Sequence, residues 1–306
     1  METIAIDDIQ INFSEDALMA LNILVAFLMF GIALDIRRED FLRLLRRPRI
    51  PLVGLLSEYM YLPLLTLLII WLFSPAASIA LGMILLATCP GGSVSNYMVY
   101  LSRSNPALSI MLTALTTLLA SVITPLAFNL WSGVIDLPEN LRQTIAVSPW
   151  RMIVSVAQLI LIPLFIGMLL NERFPRIKAK IEKPVRTISM ILFIGFVVGA
   201  VLSNIPQMKS YLGIVFAVVL VHNFLALLGG YGIAKAFRLD ERNARTVSIE
   251  TGIQNTALGL FLVFNFFGGN GGMALVLAWW GIWHLVSGFG LAMWWRRTAT
   301  TEPETA

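Results

Sequence analysis

Ala87-Thr88-Cys89-Pro90-Gly91-Gly92-Ser93-Val94-Ser95-Asn96 stands in the middle of an apolar run. A second polar interruption, Glu250-Thr251-Gly252-Ile253-Gln254-Asn255-Thr256, stands in the middle of another. Proline removes a backbone donor and clashes with the preceding turn, and two adjacent glycines add conformational freedom. Neither stretch suits a straight helix, yet both are flanked by sequence apolar enough for a bilayer. Unwound backbone survives at membrane depth only when it is buried in protein or lines an aqueous cavity. Interrupted segments at corresponding places in two halves of a chain point to a secondary-transporter binding site.

The rest of the 306 residues fits that frame. Hydrophobic residues make up 58% and charged residues 13%. This balance excludes an ordinary soluble domain. Apolar runs of about 20 residues separated by short charged loops predict an all-α polytopic membrane protein. The spans fall at 18–36, 50–73, 77–101, 106–132, 148–170, 185–203, 210–234, 243–266 and 270–295. The two halves are spans 1–4 and 5–9. The first is one helix shorter, so corresponding spans, such as the interrupted spans 3 and 8, are offset by an odd number and the halves are inverted. The longest connections are 136–148 and 171–184. The connection 37–49 has the composition of a short interfacial helix, and the tail 298–306 is polar and predicted to be disordered.

Of the 22 basic residues, 19 fall on one face of this layout, after spans 1, 3, 5, 7 and 9. Arg142, Arg151 and Lys209 are the exceptions. The bias predicts that this face is cytoplasmic, with the N-terminus outside and the C-terminus inside. Basic loops beside spans meet anionic headgroups, so the pI of about 9.4 is no sign of nucleic acid. One cysteine, Cys89, excludes an internal disulfide and a thiolate metal centre, and two histidines exclude a histidine cluster. Residues 1–20 read as neither a secretory signal nor a transit peptide.

Glu58 and Glu250 are the only carboxylates in the interior of the predicted spans; the other acids, Asp35 at the end of span 1 among them, fall at span ends, in loops or in the tails. An ionisable group at bilayer depth costs about 2.5–3.5 kcal/mol on insertion scales, so it is kept with a partner. No Lys or Arg lies mid-span to supply one. A cation or a proton is the simplest remaining partner. Hard cations favour oxygen ligands, and three segments offer them. Ser95 and Asn96 follow the first break. Ser109 and Thr113 begin a hydroxyl stripe, with Thr116, Thr117, Ser121 and Thr124, along span 4. Glu250, Gln254 and backbone carbonyls lie at the second break. One carboxylate among neutral oxygens suits a monovalent cation that must be held and released. Hydroxyls in membrane helices also bond back to their own helix. His222 with Asn223 reads as an interhelical hydrogen bonder, His284 as either packing or cavity lining, and Cys89 as a small apolar residue.

The two interruptions, with Tyr100-Leu101-Ser102-Arg103-Ser104-Asn105-Pro106-Ala107-Leu108-Ser109, Val221-His222-Asn223 and Trp283-His284, resemble the signatures of the bile acid:sodium symporter family. The resemblance covers all nine spans. It implies an inverted-repeat transporter with panel and core domains and two broken helices that cross at mid-membrane. The implied division is an extracytoplasmic tail at 1–17, a panel at 18–36 and 148–203, a core at 50–132 and 210–295, and a cytoplasmic tail at 296–306. It implies a first sodium site of Ser95, Asn96, Ser109, Thr113 and Glu250. A second would use Glu250, the backbone of Thr251 and Ile253, Gln254, and position 58. That position is usually glutamine and is Glu58 here. Two close acids seldom both ionise without compensation. Either a second cation is held more tightly or one acid carries a proton. Ser93, Asn255 and His284 match positions near the family's substrate, an organic anion, while the asparagine that often follows the histidine is Leu285.

The expectation is a sodium-coupled symporter of a small organic anion, bile-acid-like or a small carboxylate. It would lie in a cell membrane, work by alternating access, and use Na+ as coupling ion with no organic cofactor. Its partners are the anion and the lipid bilayer, with no nucleic acid and an oligomeric state left open. The rivals are a proton-coupled organic-anion transporter, an efflux carrier of related architecture, a passive channel, and an intramembrane hydrolase using Ser93 or Cys89 with a histidine base.

Overall fold

A computed structural model describes residues 6–11, 14–34, 36 and 48–298. The helices are α1 (Glu15–Ala33), α2 (Arg49–Phe73), α3 (Ala77–Thr88), α4 (Val94–Leu101), α5 (Pro106–Ser132), α6 (Glu139–Ile145), α7 (Pro149–Arg173), α8 (Pro175–Met208), α9 (Leu212–Ala236), α10 (Glu241–Gly252), α11 (Thr256–Phe266) and α12 (Gly271–Thr298). Among these residues the only extended pairings are two isolated bridges, Gln10 with Asn270 and Gly91 with Gln254. The protein is an all-α polytopic membrane protein. Six continuous helices are long and apolar enough to cross a bilayer: α1, α2, α5, α7, α12, and α9 with the short turn that precedes it. The second half of α8, from Thr187 to Met208, is uncharged. The half-helices α3 and α11 are apolar but shorter. The connection expected at 37–49 lies outside the described residues as far as 47, and so does the tail beyond 298.

Helix starts follow local chemistry. Asn105 accepts from the Leu108 N–H and precedes Pro106, so α5 begins with a side-chain cap and with a residue that has no N–H to lose. Asp240, Asn255 and Ser14 cap α10, α11 and α1 in the same way. Inside α2 the residues Ser57–Tyr61 form a π turn, with the Leu62 N–H reaching back to the Ser57 carbonyl. Pro63 follows directly and cannot donate to Tyr59, and the widened turn accommodates it. Such turns occur often at functional sites. This one carries Glu58.

One expectation is corrected. The segment 171–184 is not a loop: α7 runs to Arg173 and α8 starts at Pro175. Proline suits a first helical position, and Lys178 and Arg186 pair with Glu182 at 2.6 and 3.6 Å along one face. The segment 1–17, expected as an extracytoplasmic tail, packs into the fold where it is described. Ile6, Ile9 and Ile11 are buried, and α1 already begins at Glu15. The Ile11 N–H donates to the Gly269 carbonyl at 2.8 Å, and the Gly271 N–H donates to the Ile9 carbonyl at 2.7 Å. Gly268 and Gly269 make this turn at φ of +59° and +64°, where a side chain is disfavoured. The Asp7 carboxylate accepts from the Ser78 N–H at 2.8 Å and so serves the start of α3.

The half-helices occupy the interior. Every residue of α3 from Ser78 to Thr88 is buried, as is α11 from Thr256 to Phe264. Their ends carry unpaired backbone groups, which lipid cannot satisfy. α12 backs α3 closely: a Cβ on Gly82 would stand 2.8 Å from the Met273 Cα. α1 packs against α7 and α8 on one side. Trp71, Phe165, Ile191 and Leu130 project from the outer faces as lipid-facing surface. At the end that carries Lys235 and Arg245, Glu241 gathers Tyr231 at 2.9 Å, Lys235 at 3.3 Å and Arg245 at 2.8 Å.

Removing the Asp7 acceptor leaves the Ser78 N–H unmet. A cap of this kind contributes about 1 kcal/mol, so Asp7→Ala should lower the melting temperature of the detergent-solubilised protein by about 2 °C. Asp7→Asn, which keeps an acceptor oxygen, should retain most of that stability.

Candidate functional site

α3 ends at Thr88 and α4 starts at Val94, while α10 ends at Gly252 and α11 starts at Thr256. The two connecting strips cross face to face. The Gly92 N–H donates to the Ile253 carbonyl at 2.8 Å, and the Asn255 N–H donates to the Pro90 carbonyl at 2.8 Å. Each break thus satisfies backbone groups left by the other. The crossing requires glycine at two positions. A Cβ on Gly92 would stand 3.0 Å from the Gln254 carbonyl oxygen. A Cβ on Gly91 would stand 3.0 Å from Glu250 Oε2 and 3.6 Å from Glu58 Oε2.

Glu250 is fully buried one turn before the second break. Three hydroxyls converge on it. Ser95 donates to Oε1 at 2.6 Å, Thr113 to Oε2 at 3.1 Å, and Ser109 also donates to Oε1. The Asn96 Oδ1 lies 2.7 Å from the Ser109 hydroxyl and 3.3 Å from that of Thr113. Ser95, Asn96, Ser109, Thr113 and Glu250 therefore share one small volume between α4, α5 and α10. A hydroxyl has one proton and two lone pairs. The same oxygens that donate to a bare carboxylate can rotate and offer lone pairs to a cation.

On the other side of Gly91 lies a second group. Among the described residues Gln254 Oε1 and both Glu58 oxygens are buried without a hydrogen bond of ordinary geometry, although the Gly91 N–H faces the Glu58 carboxylate. The Gln254 amide nitrogen is engaged elsewhere, donating to the Thr251 carbonyl at 3.0 Å, which leaves Oε1 free. The Thr251 hydroxyl is tied to Ser57 at 2.7 Å and to the Val247 carbonyl at 2.8 Å. The Ile253 carbonyl accepts from Gly92 and keeps one lone pair. No Lys or Arg pairs with Glu58 or Glu250 among the described residues. Uncompensated buried acceptors are costly, and a cation is the partner this donor set suits. Sodium fits both groups by ligand type.

Ser93, Asn255 and His284 line one cavity of about 850 Å³, including space open to solvent. α1 and α8 form its other wall with Leu28, Met29, Ile32, Met190 and Phe193. Among the described residues no Lys or Arg lines it. Asn255 Oδ1 caps α11, while its amide nitrogen, among the described residues, meets only the Met29 sulfur at 3.9 Å. His284 Nδ1 has no partner. Leu285 also lines the cavity. His222 lies apart, 2.9 Å from the Thr66 hydroxyl and edge-on to Trp280. Cys89 is buried. Among the described residues neither Cys89 nor Ser93 bonds to a histidine.

Sequence reasoning missed Ser57, Ser287 and the apolar wall of α1 and α8. Ser57 directly precedes Glu58 and stands six residues before Pro63, and that proximity is the signal the sequence offers. The wall residues carry none, because they do not differ from lipid-facing side chains.

The family model described as the Sodium Bile acid symporter family matches residues 22–211. The Uncharacterized sodium-dependent transporter YocS of Bacillus subtilis (strain 168) is 31% identical over 277 residues, covering 90% of this chain and 83% of its own. The Probable sodium/metabolite cotransporter BASS2, chloroplastic, of Oryza sativa subsp. japonica is 34% identical, covering 78% of this chain and 55% of its own. The Probable sodium/metabolite cotransporter BASS1, chloroplastic, of Arabidopsis thaliana is 30% identical, covering 90% and 66%. This chain thus spans between about half and two thirds of the plant relatives' length. These proteins are transporters rather than enzymes. By the extent of the match and by its relatives, the chain belongs to the sodium bile acid symporter family.

Proposed function

We propose that this protein is a sodium-coupled secondary transporter that carries a small organic anion by alternating access. The observation that carries the reading is Glu250: fully buried, served only by hydroxyls, with the orphan oxygens of Glu58 and Gln254 beside it. One sodium ion would sit among Ser95, Asn96, Ser109, Thr113 and Glu250. A second would use Glu250, Glu58, Gln254 and the carbonyls of Thr251 and Ile253. The relatives' names support sodium as the coupling ion.

The anion would occupy the cavity, with its apolar body against Met29, Met190 and Phe193 and its charged end at Ser93, Asn255 and His284. The N-terminal ends of α4 and α11 meet there, and helix N-termini favour negative charge. α1, α7 and α8 would form a panel, and α2–α5 with α9–α12 a core that moves against it. The basic bias supports a cell-membrane protein with its N-terminus outside and its C-terminus cytoplasmic. Sodium would neutralise the acids and hold the two breaks in register, completing the anion site.

The presence of Glu58 favours a second reading, in which one of the two acids carries a proton and a pH gradient contributes to uptake. The two readings separate in proteoliposomes. Uptake driven by a sodium gradient at equal pH supports the first, and uptake driven by a pH gradient in sodium-free buffer supports the second.

Glu250→Gln should abolish sodium-driven uptake and the stabilisation of the detergent-solubilised protein by sodium chloride over potassium chloride. Ser109→Ala and Thr113→Ala should each raise the sodium concentration for half-maximal stabilisation about tenfold, a loss of about 1.4 kcal/mol. Gly91→Ala should act like Glu250→Gln, because the added methyl fills the space between the two carboxylates. Glu58→Gln should weaken sodium binding less than Glu250→Gln and lower the Hill coefficient. An unchanged sodium titration for Glu58→Gln would remove this residue from the second site.

A further inference from the structure

Asn223 is a fully buried amide on α9 that is a ligand in neither proposed cation site. Its Nδ2 donates to the Gly252 carbonyl at 2.7 Å, and its Oδ1 accepts from the Ser287 hydroxyl of α12 at 2.6 Å. Both bonds are short and both cross between helices. α9 lies unusually close to the end of α10. A Cβ on Gly230 would stand 2.8 Å from Thr251 Oγ1, and the Ser248 hydroxyl donates to the Leu227 carbonyl at 2.6 Å.

The break deprives the last carbonyls of α10 of their usual donors. The Asn255 N–H has gone to Pro90 and the Thr256 N–H to the Gln254 carbonyl at 3.1 Å. The Gln254 side-chain amide turns back onto the Thr251 carbonyl at 3.0 Å and the Glu250 carbonyl at 3.5 Å. The Gly252 carbonyl is met by Asn223. Adjacent peptide planes are linked through shared dihedrals, so fixing the Gly252 carbonyl restricts where those of Thr251 and Ile253 face. It also restricts Gln254, whose amide hangs on Thr251 and whose Oε1 is free.

Side-chain chemistry narrows what can do this. The position needs one acceptor for Ser287 and one donor for Gly252. An amide offers both, a carboxylate lacks the donor, and an aliphatic side chain offers neither. The Ser287 proton on Oδ1 selects the amide orientation that donates to Gly252. Ser287 lies one turn after His284 on α12, and its hydroxyl is 3.4 Å from the His284 carbonyl. His284 lines the cavity.

We infer that Asn223, oriented by Ser287, is the positioning residue for the carbonyl side of the cation site at the end of α10, and that this pair ties the α12 wall of the cavity to that site. The inference rests on the sodium reading given above.

The test is the thermal stability of the full-length protein in detergent, titrated with sodium chloride at constant ionic strength against potassium chloride. Asn223→Leu should melt within a few degrees of the wild type in potassium, while its sodium midpoint rises about tenfold. Ser287→Ala should raise the midpoint by a smaller factor and add nothing in the Asn223→Leu background. Ser287→Thr, which keeps the hydroxyl, should restore the wild-type midpoint. An unchanged midpoint in a folded Asn223→Leu protein would overturn the inference, as would independent, multiplicative effects of the two substitutions. If Asn223→Leu does not fold, the comparison of Ser287→Ala with Ser287→Thr decides, and equal midpoints there overturn it. The underlying reading fails separately, if sodium does not stabilise the wild type or if Glu250→Gln keeps the sodium response. A wild type that responds through Glu250, with Asn223 and Ser287 indifferent, removes only this inference.

Discussion

A carboxylate with no exposure to water and, among the described residues, no basic partner is the constraint around which this structure is arranged. Glu250 lies at the end of a half-helix, and its surroundings supply hydroxyls, an amide oxygen and carbonyls. Removing a charge from water is expensive, and neutral donors offset only part of that expense. A site built this way is incomplete by construction. The three hydroxyls that donate to Glu250 belong to two other helices, α4 and α5, so the acid also fixes how those helices sit against α10. A cation joining them would exchange donor contacts for lone-pair contacts without moving the backbone far.

The second constraint is the backbone itself. Two interrupted helices in a membrane protein leave many N–H and C=O groups without their in-chain partners. The crossing resolves this by mutual exchange, Gly92 with Ile253 and Pro90 with Asn255. The paired glycines at 91 and 92 follow from that exchange, since a side chain on either would stand against Gln254 or the carboxylates. The arrangement that keeps the breaks tolerable in lipid is the same one that brings the oxygens of the two halves together.

Much of this was legible in the sequence for physical reasons. Helix positions followed from apolar runs, and the breaks from Pro90-Gly91-Gly92 and from polar residues around Gly252. Glu58 and Glu250 stood out because charge inside a span is rare. The hydroxyl stripe of α5 showed which face turns inward, and its first two members do meet Glu250. What could not be read were pairings between residues distant in sequence. Nothing local announces that Asn223 meets both Gly252 and Ser287, or that Asp7 meets Ser78. The helical run from Pro175 was hidden because its charged residues look like a loop, although they are spaced to pair along a helix. The cavity wall on α1 and α8 was hidden because Met29 and Phe193 share their chemistry with residues that face lipid.

The strand-like attachment of residues 9–11 to the Gly269 turn has a mechanical consequence. Ile11 is stitched to that turn, and Ser14 caps α1 only three peptide links later. Three residues reach at most about 11 Å when fully extended. The head of α1 is therefore leashed to the tip of the α11–α12 hairpin, and it can swivel about that point but not slide far from it. If α1 moves as one body with α7 and α8, that motion has a pivot at this rim of the molecule, and the largest excursions fall at the opposite rim.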